Sequence, residues 1–317
     1  MERADKSPQA SVIVPIGTRY EDLAELCRGL RRVLTPLVEG YEVIFVDDAT
    51  GPQTRQRVQA ASGACAEVRV IRLQRPMGES TALAVGAQSA RGEVVITLDP
   101  YLHVSLEELP KLLAPLSNGT DLVCAWRFPR QERGLSRLAS DAFNATARWL
   151  TNVAVHDLNC RLRVMRREIL QDMPLYGDLH RFLPIFAVRR GYTWCEIQVP
   201  QQPGKEELGA FNPRSYVPRL LDLLTLAFLT RFVKRPLHFF GLIGLLSFLA
   251  GLAICGYLSY LKLVLDLGIG HRPLLLFGIL LVVVGLQVGS IGLLGELIIF
   301  THARDLKDYV VQEDLKA

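Results

Sequence analysis

The chain has 317 residues, of which 50% are hydrophobic, and a formal net charge of only +4 at pH 7. So small a charge over this length disfavours a nucleic-acid partner, because it gives little long-range attraction for phosphates. The length accommodates one soluble domain of about 200 residues and a membrane module. The six cysteines show no CxxC spacing and the first residues are charged and include proline, so we expect a reducing cytosol around the soluble part.

The N-terminal half alternates between predicted strands and helices. Two β-branched runs, Ser11–Ile16 and Glu42–Val46, predict buried strands, and Tyr20–Leu37 between them has the apolar spacing of a helix. Further elements of both kinds follow, namely the strands Val68–Leu73, Val94–Leu98 and Asp121–Ala125 and the alanine-rich helix Ser80–Ala90. This alternation predicts an α/β fold with a mostly parallel sheet.

Carboxylates follow two of the predicted strands. Asp47 and Asp48 end the second strand, and Asp99 ends the strand Val94–Leu98. Ligands of open α/β sheets bind beyond the carboxyl ends of the strands. Carboxylates there favour a nucleotide site, in which one accepts hydrogen bonds from the nucleoside and another holds the divalent ion of a diphosphate. The alternative is that each aspartate caps the turn or helix that follows it.

Two long uncharged runs lie near the C-terminus. His238–Leu261 and Leu274–Gly295 each exceed the roughly 20 residues that a helix needs to cross a bilayer, so they predict two transmembrane helices. Basic residues are more frequent outside the two runs than between them, which favours both termini in the cytosol. Ahead of them, Leu220–Phe232 is rich in leucine and phenylalanine but interrupted by Asp222 and Arg231. This pattern favours a helix at the membrane interface, with a core helix of the soluble domain as the alternative.

The chain is therefore predicted to have four parts. Residues 1–211 form the soluble domain, 212–235 an amphipathic juxtamembrane helix, 236–300 the two transmembrane helices and 301–317 a cytosolic tail. Glu296, at the end of the second run, is expected to pair with a neighbouring helix rather than to snorkel to the headgroups.

Three segments carry a resemblance to a known family. Ser11–Pro15, Tyr41–Asp48 and Arg91–Asp99 resemble the GT-A core of glycosyltransferase family two. Within this family the chain is similar to the polyprenyl-phosphate glycosyltransferases, relatives of dolichol-phosphate mannose synthase. Further matches to the pattern are Gly78 with Ala82, Leu83 and Gly86, then Asp157, Arg163–Arg167, His180–Pro184, Gly191–Tyr192 and Gly295–Glu296. The resemblance covers nearly the whole chain.

The resemblance implies a Rossmann-like GT-A head and an enzyme of defined chemistry. It implies inverting transfer of a sugar from a nucleotide-sugar donor to a polyprenyl phosphate of the undecaprenyl or dolichyl type. The head would lie in the cytoplasm and the chain would be a multi-pass protein of the cell (inner) membrane, in the synthesis of envelope glycans. Relatives with this two-span ending also suggest a homo-oligomer formed through the spans.

Site residues follow from the same resemblance. The nucleotide would be bound by Pro15, Asp47, Asp48 and Gly78. Asp99, near the metal and the diphosphate, and Asp157 would be the catalytic residues. The acceptor phosphate would be bound by arginines, whose fork gives paired bonds to phosphate oxygens; they are Arg127, Arg133, Arg163 and Arg214.

The metal motif departs from the family pattern. Relatives show Asp-x-Asp-x-Gln, whereas this chain reads Asp99, Pro100, Tyr101, Leu102, His103 and lacks the second carboxylate. Tyrosine at that position weakens binding of a hard divalent ion, although Asp99, diphosphate oxygens and water can complete a Mg²⁺ shell. His103 is a ligand candidate for a softer ion such as Mn²⁺. The alternative is that the His103 side chain points into solvent or bonds to a backbone group.

Two more departures concern positive charges. Where relatives carry an arginine followed by Gly-x-Ser-Lys-Tyr, this chain has Gln201–Gly204, an insertion-like Lys205–Ala210 and then Asn212–Tyr216. Lys205 or Arg214 are the candidates to replace the missing charges. The family's Gly-Phe-Arg has become Arg161–Arg163, which keeps the arginine and replaces a glycine that permits close backbone approach.

The sequence leaves two functions open. The chain is either an active glycosyltransferase with an atypical metal site, or a catalytically silent paralogue that binds a partner enzyme or a lipid phosphate as a scaffold. A transporter is disfavoured because two spans cannot easily enclose a polar path without oligomerisation.

Overall fold

The computed structural model describes residues 8–17, 22–49, 51–101, 103–129, 135–173, 175–202, 221, 225, 236–265 and 273–302. The chain divides into two compact units at Leu223, and the second unit, Leu224–Asp308, contains the two apolar helices. Residues 221 and 225 are helical, and the rest of the predicted interface helix lies outside the described residues, as does most of the predicted segment 212–235.

The first unit is built around one sheet. Its strands are β1 Ala10–Ile16, β2 Tyr41–Asp47, β3 Val68–Arg72, β4 Val94–Thr97, β5 Leu122–Arg127, β6 Arg163–Arg166 and β7 Trp194–Val199. The seven strands are arranged in the order β3-β2-β1-β4-β6-β5-β7. Only β6 runs antiparallel to its neighbours β4 and β5, so the predicted mostly parallel sheet is confirmed.

Helices cover both faces of this sheet. They are α1 Leu23–Leu34, α2 Pro52–Ala64, α3 Glu79–Ser89, α4 Leu109–Ser117, α5 Leu135–Thr151, α6 Arg167–Asp172 and α7 Leu183–Arg189. Short 3₁₀ turns precede α4 and α7. The first helix begins later than predicted because Asp22 caps it, accepting hydrogen bonds from the backbone N–H groups of Ala24 and Glu25.

The strands read as continuous apolar runs because both faces of the sheet are buried. Along β1, Val12 and Val14 belong to the apolar core on the side of α1, α2 and α4, whereas Ile13 belongs to the core on the side of α3, α6 and α7. A Cβ at Gly86 would lie 2.5 Å from Cγ2 of Ile13, so this glycine lets α3 pack directly against β1. The N-terminus of α3 is thereby held near the sheet edge where β1 and β2 end.

The second unit consists of α8 Pro236–Leu265 and α9 Pro273–His302. Both are long and apolar enough to cross a membrane, with mean hydropathies of 2.2 and 2.5 and only 11% of the span-length windows buried. The two helices pack through glycines. A Cβ at Gly244 would lie 2.7 Å from the carbonyl oxygen of Gly285, and one at Gly251 would lie 2.7 Å from that of Gly278.

Glu296 pairs with the neighbouring helix, as the sequence predicts. Its Oε2 accepts a hydrogen bond from the backbone N–H of Leu237 at 3.4 Å. The carboxylate therefore satisfies one of the N–H groups that the first turn of α8 leaves without an intrahelical acceptor.

Candidate active site

The carboxyl ends of β1, β2 and β4 meet at one edge of the sheet. Because β1 is paired in parallel with both β2 and β4, the residues that follow the three strands lie side by side. A cavity of about 180 Å³ opens there; it is lined by Pro15, Ile16, Gly17, Asp48, Glu79, Ala82, Asp99, Pro100, Tyr101 and Arg161. Ligand pockets usually measure roughly 300–1,000 Å³, so this cavity has room for only part of a nucleotide sugar.

Asp47 and Asp48 have different partners. Asp47 is fully buried and forms an ion pair with Arg72 on the adjacent β3, with 2.7 Å between its Oδ2 and the arginine Nε. The carboxylate of Asp48 accepts hydrogen bonds from the backbone N–H groups of Met77 at 2.6 Å and Gly78 at 3.0 Å. Asp48 therefore both holds the turn before α3 and lines the cavity.

Gly78 is the residue in that turn whose backbone requires glycine. Its φ is +88°, in the left-handed region that side chains with a Cβ rarely adopt. It also precedes α3 directly, so the first residues of this helix, Glu79 and Ser80, begin next to the cavity.

Asp99 is bound to an arginine that the sequence did not assign to the site. Oδ1 of Asp99 accepts a hydrogen bond from Nη1 of Arg161 at 2.7 Å, and the hydroxyl of Tyr101 accepts another from the same nitrogen at 2.9 Å. Nη2 of Arg161 lies 2.7 Å from Oε2 of Glu79. The guanidinium thus lies among two carboxylates and a phenol.

The pairing of β4 with β6 explains this arrangement. In the antiparallel register Thr97 is opposite Arg163, so the chain just before β6 runs past the residues just after β4. The hydroxyl of Thr97 donates a hydrogen bond to the carbonyl of Arg161 at 2.8 Å. The Thr97 side chain therefore holds the backbone of Arg161 opposite Asp99.

Burial and mutual charge set the electrostatics of this cluster. Burial raises the pKa of Asp99, and the neighbouring Arg161 opposes that rise. Burial likewise raises the pKa of Glu79 to about 7, again against the effect of Arg161 and with a further contribution from Asp99. Burial lowers the pKa of Arg161, but the carboxylates of Asp99 and Glu79 raise it more, so it stays charged.

A buried histidine adjoins the cluster. Nδ1 of His180 lies 2.9 Å from the hydroxyl of Ser80, and its Nε2 lies 3.4 Å from Oε1 of Glu79. Burial and then the charges of three arginines lower the pKa of His180 to about 2, so the ring is neutral at physiological pH. The backbone N–H of His180 also donates to the Ser80 oxygen, which leaves the hydroxyl proton for Nδ1. Nε2 then carries the ring proton; it lies 3.4 Å from Oε1 of Glu79 but makes no hydrogen bond with the described residues.

The described side chains do not form a conventional site for a divalent cation. His103 and Asp99 line one small cavity, but the His103 ring packs edge-on against Tyr101, with 4.9 Å between ring centroids, and Oδ1 of Asp99 is engaged by Arg161. In the part of the chain that the structure describes, no three His, Cys, Asp or Glu side chains are placed to hold a metal ion. Mg²⁺ is usually held by carboxylates, of which this motif offers one.

Arg127 and Asp157 are paired with each other. Nε and Nη2 of Arg127 donate to the two carboxylate oxygens of Asp157 at 2.7 and 3.0 Å, and both side chains are buried. Next to this pair, the ring of His156 stacks on Trp126 with 4.3 Å between centroids, and its Nδ1 lies 2.7 Å from Oε2 of Glu196. The predicted catalytic aspartate and the predicted phosphate-binding arginine thus form one bidentate ion pair beside the cavity.

The other predicted arginines divide into two groups. Arg163 is buried and donates hydrogen bonds to the carbonyl oxygens of Leu158, His180 and Arg181, which favours a structural role over the predicted contact with a phosphate. Arg133 and Arg214 lie outside the described residues.

Arg161, Glu79, Ser80 and His180 were not among the predicted site residues. One signal for Arg161 is present in the sequence, because the family's second aspartate is replaced by Tyr101 and a glycine by Arg161. Only the register of β4 and β6 shows that these two replacements face each other. His180 begins a segment that matches the family pattern, but no local pattern pairs it with Ser80, which lies 100 positions earlier.

The mostly parallel sheet with aspartates at the carboxyl ends of its strands is that of a GT-A type fold, and comparison with known proteins agrees. The family model for glycosyl transferase family 2 matches residues 11–174. The chain belongs to this family, as the sequence predicts, and is a glycosyltransferase by membership.

Two curated relatives match along most of their length. Dodecaprenyl-phosphate galacturonate synthase of Rhizobium johnstonii is 28% identical over 97% of this chain and 93% of the relative. Undecaprenyl-phosphate 4-deoxy-4-formamido-L-arabinose transferase of Pseudomonas paraeruginosa is 32% identical over 90% of this chain and 84% of the relative.

Solved structures support the fold. Glucosyl-3-phosphoglycerate synthase of Mycobacterium tuberculosis with phosphoglyceric acid has a TM-score of 0.53 at 18% identity, covering 70% of this chain and 79% of the other. The same enzyme with Mg²⁺ and UDP has a TM-score of 0.52 at 16% identity, covering 70% and 78%. At this identity the likeness extends to the GT-A fold alone, and the metal and nucleotide are properties of the neighbour.

Proposed function

We propose that this protein transfers a sugar from a nucleotide-sugar donor to a polyprenyl phosphate, with inversion at the anomeric carbon. The observation that carries the proposal is the match to polyprenyl-phosphate transferases over 90% or more of this chain, including its two apolar helices. A lipid acceptor suits a catalytic head followed by helices that hold it at a bilayer.

The reaction needs no nucleophile from the protein. An oxygen of the lipid phosphate, already anionic near neutral pH, bonds to the anomeric carbon while the bond from that carbon to the diphosphate breaks. The diphosphate leaves with the electron pair of that bond. The protein has to orient the two substrates, stabilise the leaving diphosphate and exclude water.

The donor is proposed to bind at the edge where β1, β2 and β4 end. Asp48 and Pro15 line the cavity there, and Gly78 precedes the helix whose first turn faces it. The carboxylate of Asp48 accepts hydrogen bonds from two N–H groups and has further lone pairs. It can therefore also accept a hydrogen bond from a nucleoside. Asp47, predicted to bind the nucleotide as well, is fully buried and paired with Arg72 and is not among the described residues that line the cavity.

The acceptor phosphate is proposed to reach the cavity from the side of Arg127. This arginine lines the neighbouring small cavity together with Asp99, and Asp157 holds its guanidinium in place. In this assignment Asp157 acts through Arg127. Arg133 and Arg214 complete the phosphate contacts as predictions from the sequence.

Placement in the membrane is also a proposal. We assign α8 and α9 as two transmembrane helices of a multi-pass cell (inner) membrane protein whose head lies in the cytoplasm, where nucleotide sugars are made. The glycine-lined contact between the helices leaves their outer faces apolar, which suits lipid or a second copy of the chain in a homo-oligomer.

The predicted use of Mg²⁺ or Mn²⁺ draws support from solved neighbours that contain these ions with UDP. The described side chains of this chain fit such an ion poorly, because one carboxylate of the motif is replaced by Tyr101 and the other is bound to Arg161. No step of the reaction above is therefore assigned to an ion.

One observation favours the second candidate function, a catalytically silent scaffold. Arg161 bonds to the carboxylate that the family uses at the reaction centre, and the second carboxylate is missing. A chain that had lost catalysis would tolerate both changes.

A transfer assay separates the two functions. Detergent-solubilised full-length protein is titrated calorimetrically with UDP and GDP, with Mn²⁺ and with EDTA, and then given undecaprenyl phosphate and the radiolabelled sugar of any nucleotide that binds. Nucleotide binding with sugar appearing in the lipid fraction supports the enzyme. Absence of binding under every condition supports the scaffold. Glu25→Gln, an exposed change on α1, serves as the control for effects of purification and detergent.

A further inference from the structure

We propose that Arg161 holds the donor diphosphate in this chain and supplies the positive charge that relatives take from a divalent ion. The inference rests on the proposed function, since it concerns the diphosphate of that reaction. It assigns a task to a residue that replaces a glycine of the family pattern.

The first argument is position. Arg161 lies opposite the carboxyl end of β4, next to Asp99, the residue that the family resemblance places at the metal. Its backbone is fixed there by the hydrogen bond from Thr97 at 2.8 Å. The guanidinium also lines the cavity beyond β1 and β2, where Asp48 lies on the proposed donor side.

The second argument is charge. Replacing the family's second aspartate by Tyr101 removes one negative charge, and replacing its glycine by Arg161 adds one positive charge. Together the two replacements make the charge of the protein around the site more positive by two units, which equals the charge of a divalent ion. The two residues are also in contact, with 2.9 Å between Nη1 and the phenol oxygen.

The third argument is hydrogen-bonding capacity. A guanidinium has five N–H donors, and the bonds to Asp99, Tyr101 and Glu79 use three of them among the described residues. The Arg161 side chain is 24% exposed and faces the cavity, so the remaining donors can reach a ligand. Phosphate oxygens suit this group because its planar fork binds them in pairs.

The fourth argument is rigidity. Two carboxylates and a phenol hold the guanidinium on a backbone that is itself hydrogen bonded to β4. A charge placed in advance of the reaction needs no reorganisation when negative charge develops on the leaving oxygen. Arg161 can therefore stabilise the departing diphosphate as a fixed cation.

The test uses full-length protein in detergent and three probes, UDP, GDP and inorganic pyrophosphate. Each is titrated calorimetrically in EDTA and in Mn²⁺. We expect the wild type to bind in EDTA with an affinity within about threefold of that in Mn²⁺. Arg161→Gln should weaken binding in EDTA by about tenfold or more, the loss expected for one hydrogen bond to a charged group. Arg161→Lys, which keeps the charge without the fork, should lie between the two.

Two further variants keep the test decisive. Arg166→Gln removes an exposed arginine at the far end of β6, paired with Asp121, and should leave affinity unchanged. The double variant Tyr101→Asp with Arg161→Gly restores the family residue at these two positions, so its binding should require Mn²⁺ and fail in EDTA. Thermal melting of each variant shows whether the fold is intact.

The outcomes separate this inference from the proposed function. Wild-type binding that requires Mn²⁺, or undiminished binding by a folded Arg161→Gln protein, overturns the role of Arg161 and leaves the proposed transferase standing. Absence of binding by every probe in both conditions overturns both. Binding in EDTA that depends on Arg161 supports both.

Discussion

Asp47 and Asp48 are adjacent in the sequence but face different surroundings. Asp47 pairs with Arg72 across two strands, whereas Asp48 reaches the cavity and the turn before α3. Alternation of side chains along a strand accounts for the division, since neighbouring residues point to opposite sides. Asp48 therefore holds a turn 29 positions further along the chain instead of one that directly follows it, and its contact with a nucleotide stays a prediction.

Asp99 is the residue at which loss of turnover is expected with the fold retained. Asp99→Asn keeps an oxygen for Arg161 and removes the negative charge beside it. We expect sugar transfer to fall by at least about 100-fold, because the neutral amide no longer fixes the Arg161 guanidinium as a charged hydrogen bond does, and a fixed cation stabilises the leaving diphosphate. Binding of pyrophosphate should persist, because the charge of Arg161 is then less neutralised.

The measurement is the transfer assay, run beside calorimetry and thermal melting. Asp121→Asn is the matched control, since Asp121 pairs with Arg166 away from the cavity. Unchanged transfer by Asp99→Asn would remove Asp99 from the mechanism.

His180 is expected to make the stability of the head depend on pH. The charged groups around it are Glu79, Arg161, Arg163 and Arg181. Its pKa falls from 6.5 to about 2 on folding, so the unfolded chain binds the proton more readily. Its contribution to the free energy of unfolding is present above about pH 6.5 and is lost progressively as the pH falls below that value.

His180→Asn tests this dependence. Asparagine can accept a hydrogen bond from Ser80 near the position of Nδ1 and does not titrate. Between pH 6.5 and 5 the melting temperature, followed by tryptophan fluorescence, should fall less in this variant than in the wild type. Parallel curves would show that His180 contributes nothing to the acid sensitivity.

At the scale of elements, β6 determines the site more than any predicted strand does. It was not among the predicted strands, being four residues long and rich in arginine. Its antiparallel insertion between β4 and β5 places Arg161 opposite Asp99 and turns Arg163 toward backbone carbonyls. A short strand of this kind has too few residues for its periodicity to be recognised.

The contact between α8 and α9 offers a direct test of their packing. A Cβ at Gly278 would lie 3.0 Å from Sγ of Cys255 on the other helix. We expect Gly278→Cys to form an intramolecular disulfide with Cys255 under copper-phenanthroline, the oxidant that accepts the two electrons. A shift in gel mobility and loss of maleimide-reactive thiols would report the bond.

Gly289→Cys on α9 is the control, because a Cβ there meets nothing within 4 Å and the residue lies about three helical turns from Gly278. Cross-linking by the control as readily as by Gly278→Cys would contradict the register of the two helices.

At the scale of the whole molecule, the proposed topology places the head and the tail on one side of the membrane. In a cysteine-free background, a cysteine at Gly268, between the spans, should react with an impermeant maleimide added to spheroplasts. A cysteine at Ser7 should react only after lysis. Labelling of Ser7→Cys in sealed spheroplasts would contradict the cytoplasmic head.

Local patterns determined the larger features of this protein. Apolar periodicity predicted the α/β head, two uncharged runs predicted the long helices, and the aspartates after the strands predicted the edge of the sheet at which the cavity lies. These features depend on residues close together in the chain, so sequence is sufficient for them. The family resemblance added the chemistry.

Tertiary structure decided which side chains meet. Asp99 and Arg161 are 62 positions apart, and Ser80 and His180 are 100 positions apart. Arg127 and Arg163, both predicted to bind phosphate, proved to be engaged by Asp157 and by carbonyl oxygens. A buried charged side chain is stable only when it is paired with another group. Strand pairing between distant segments determines which group lies within reach. Pairing of that kind leaves no periodic signal in the sequence.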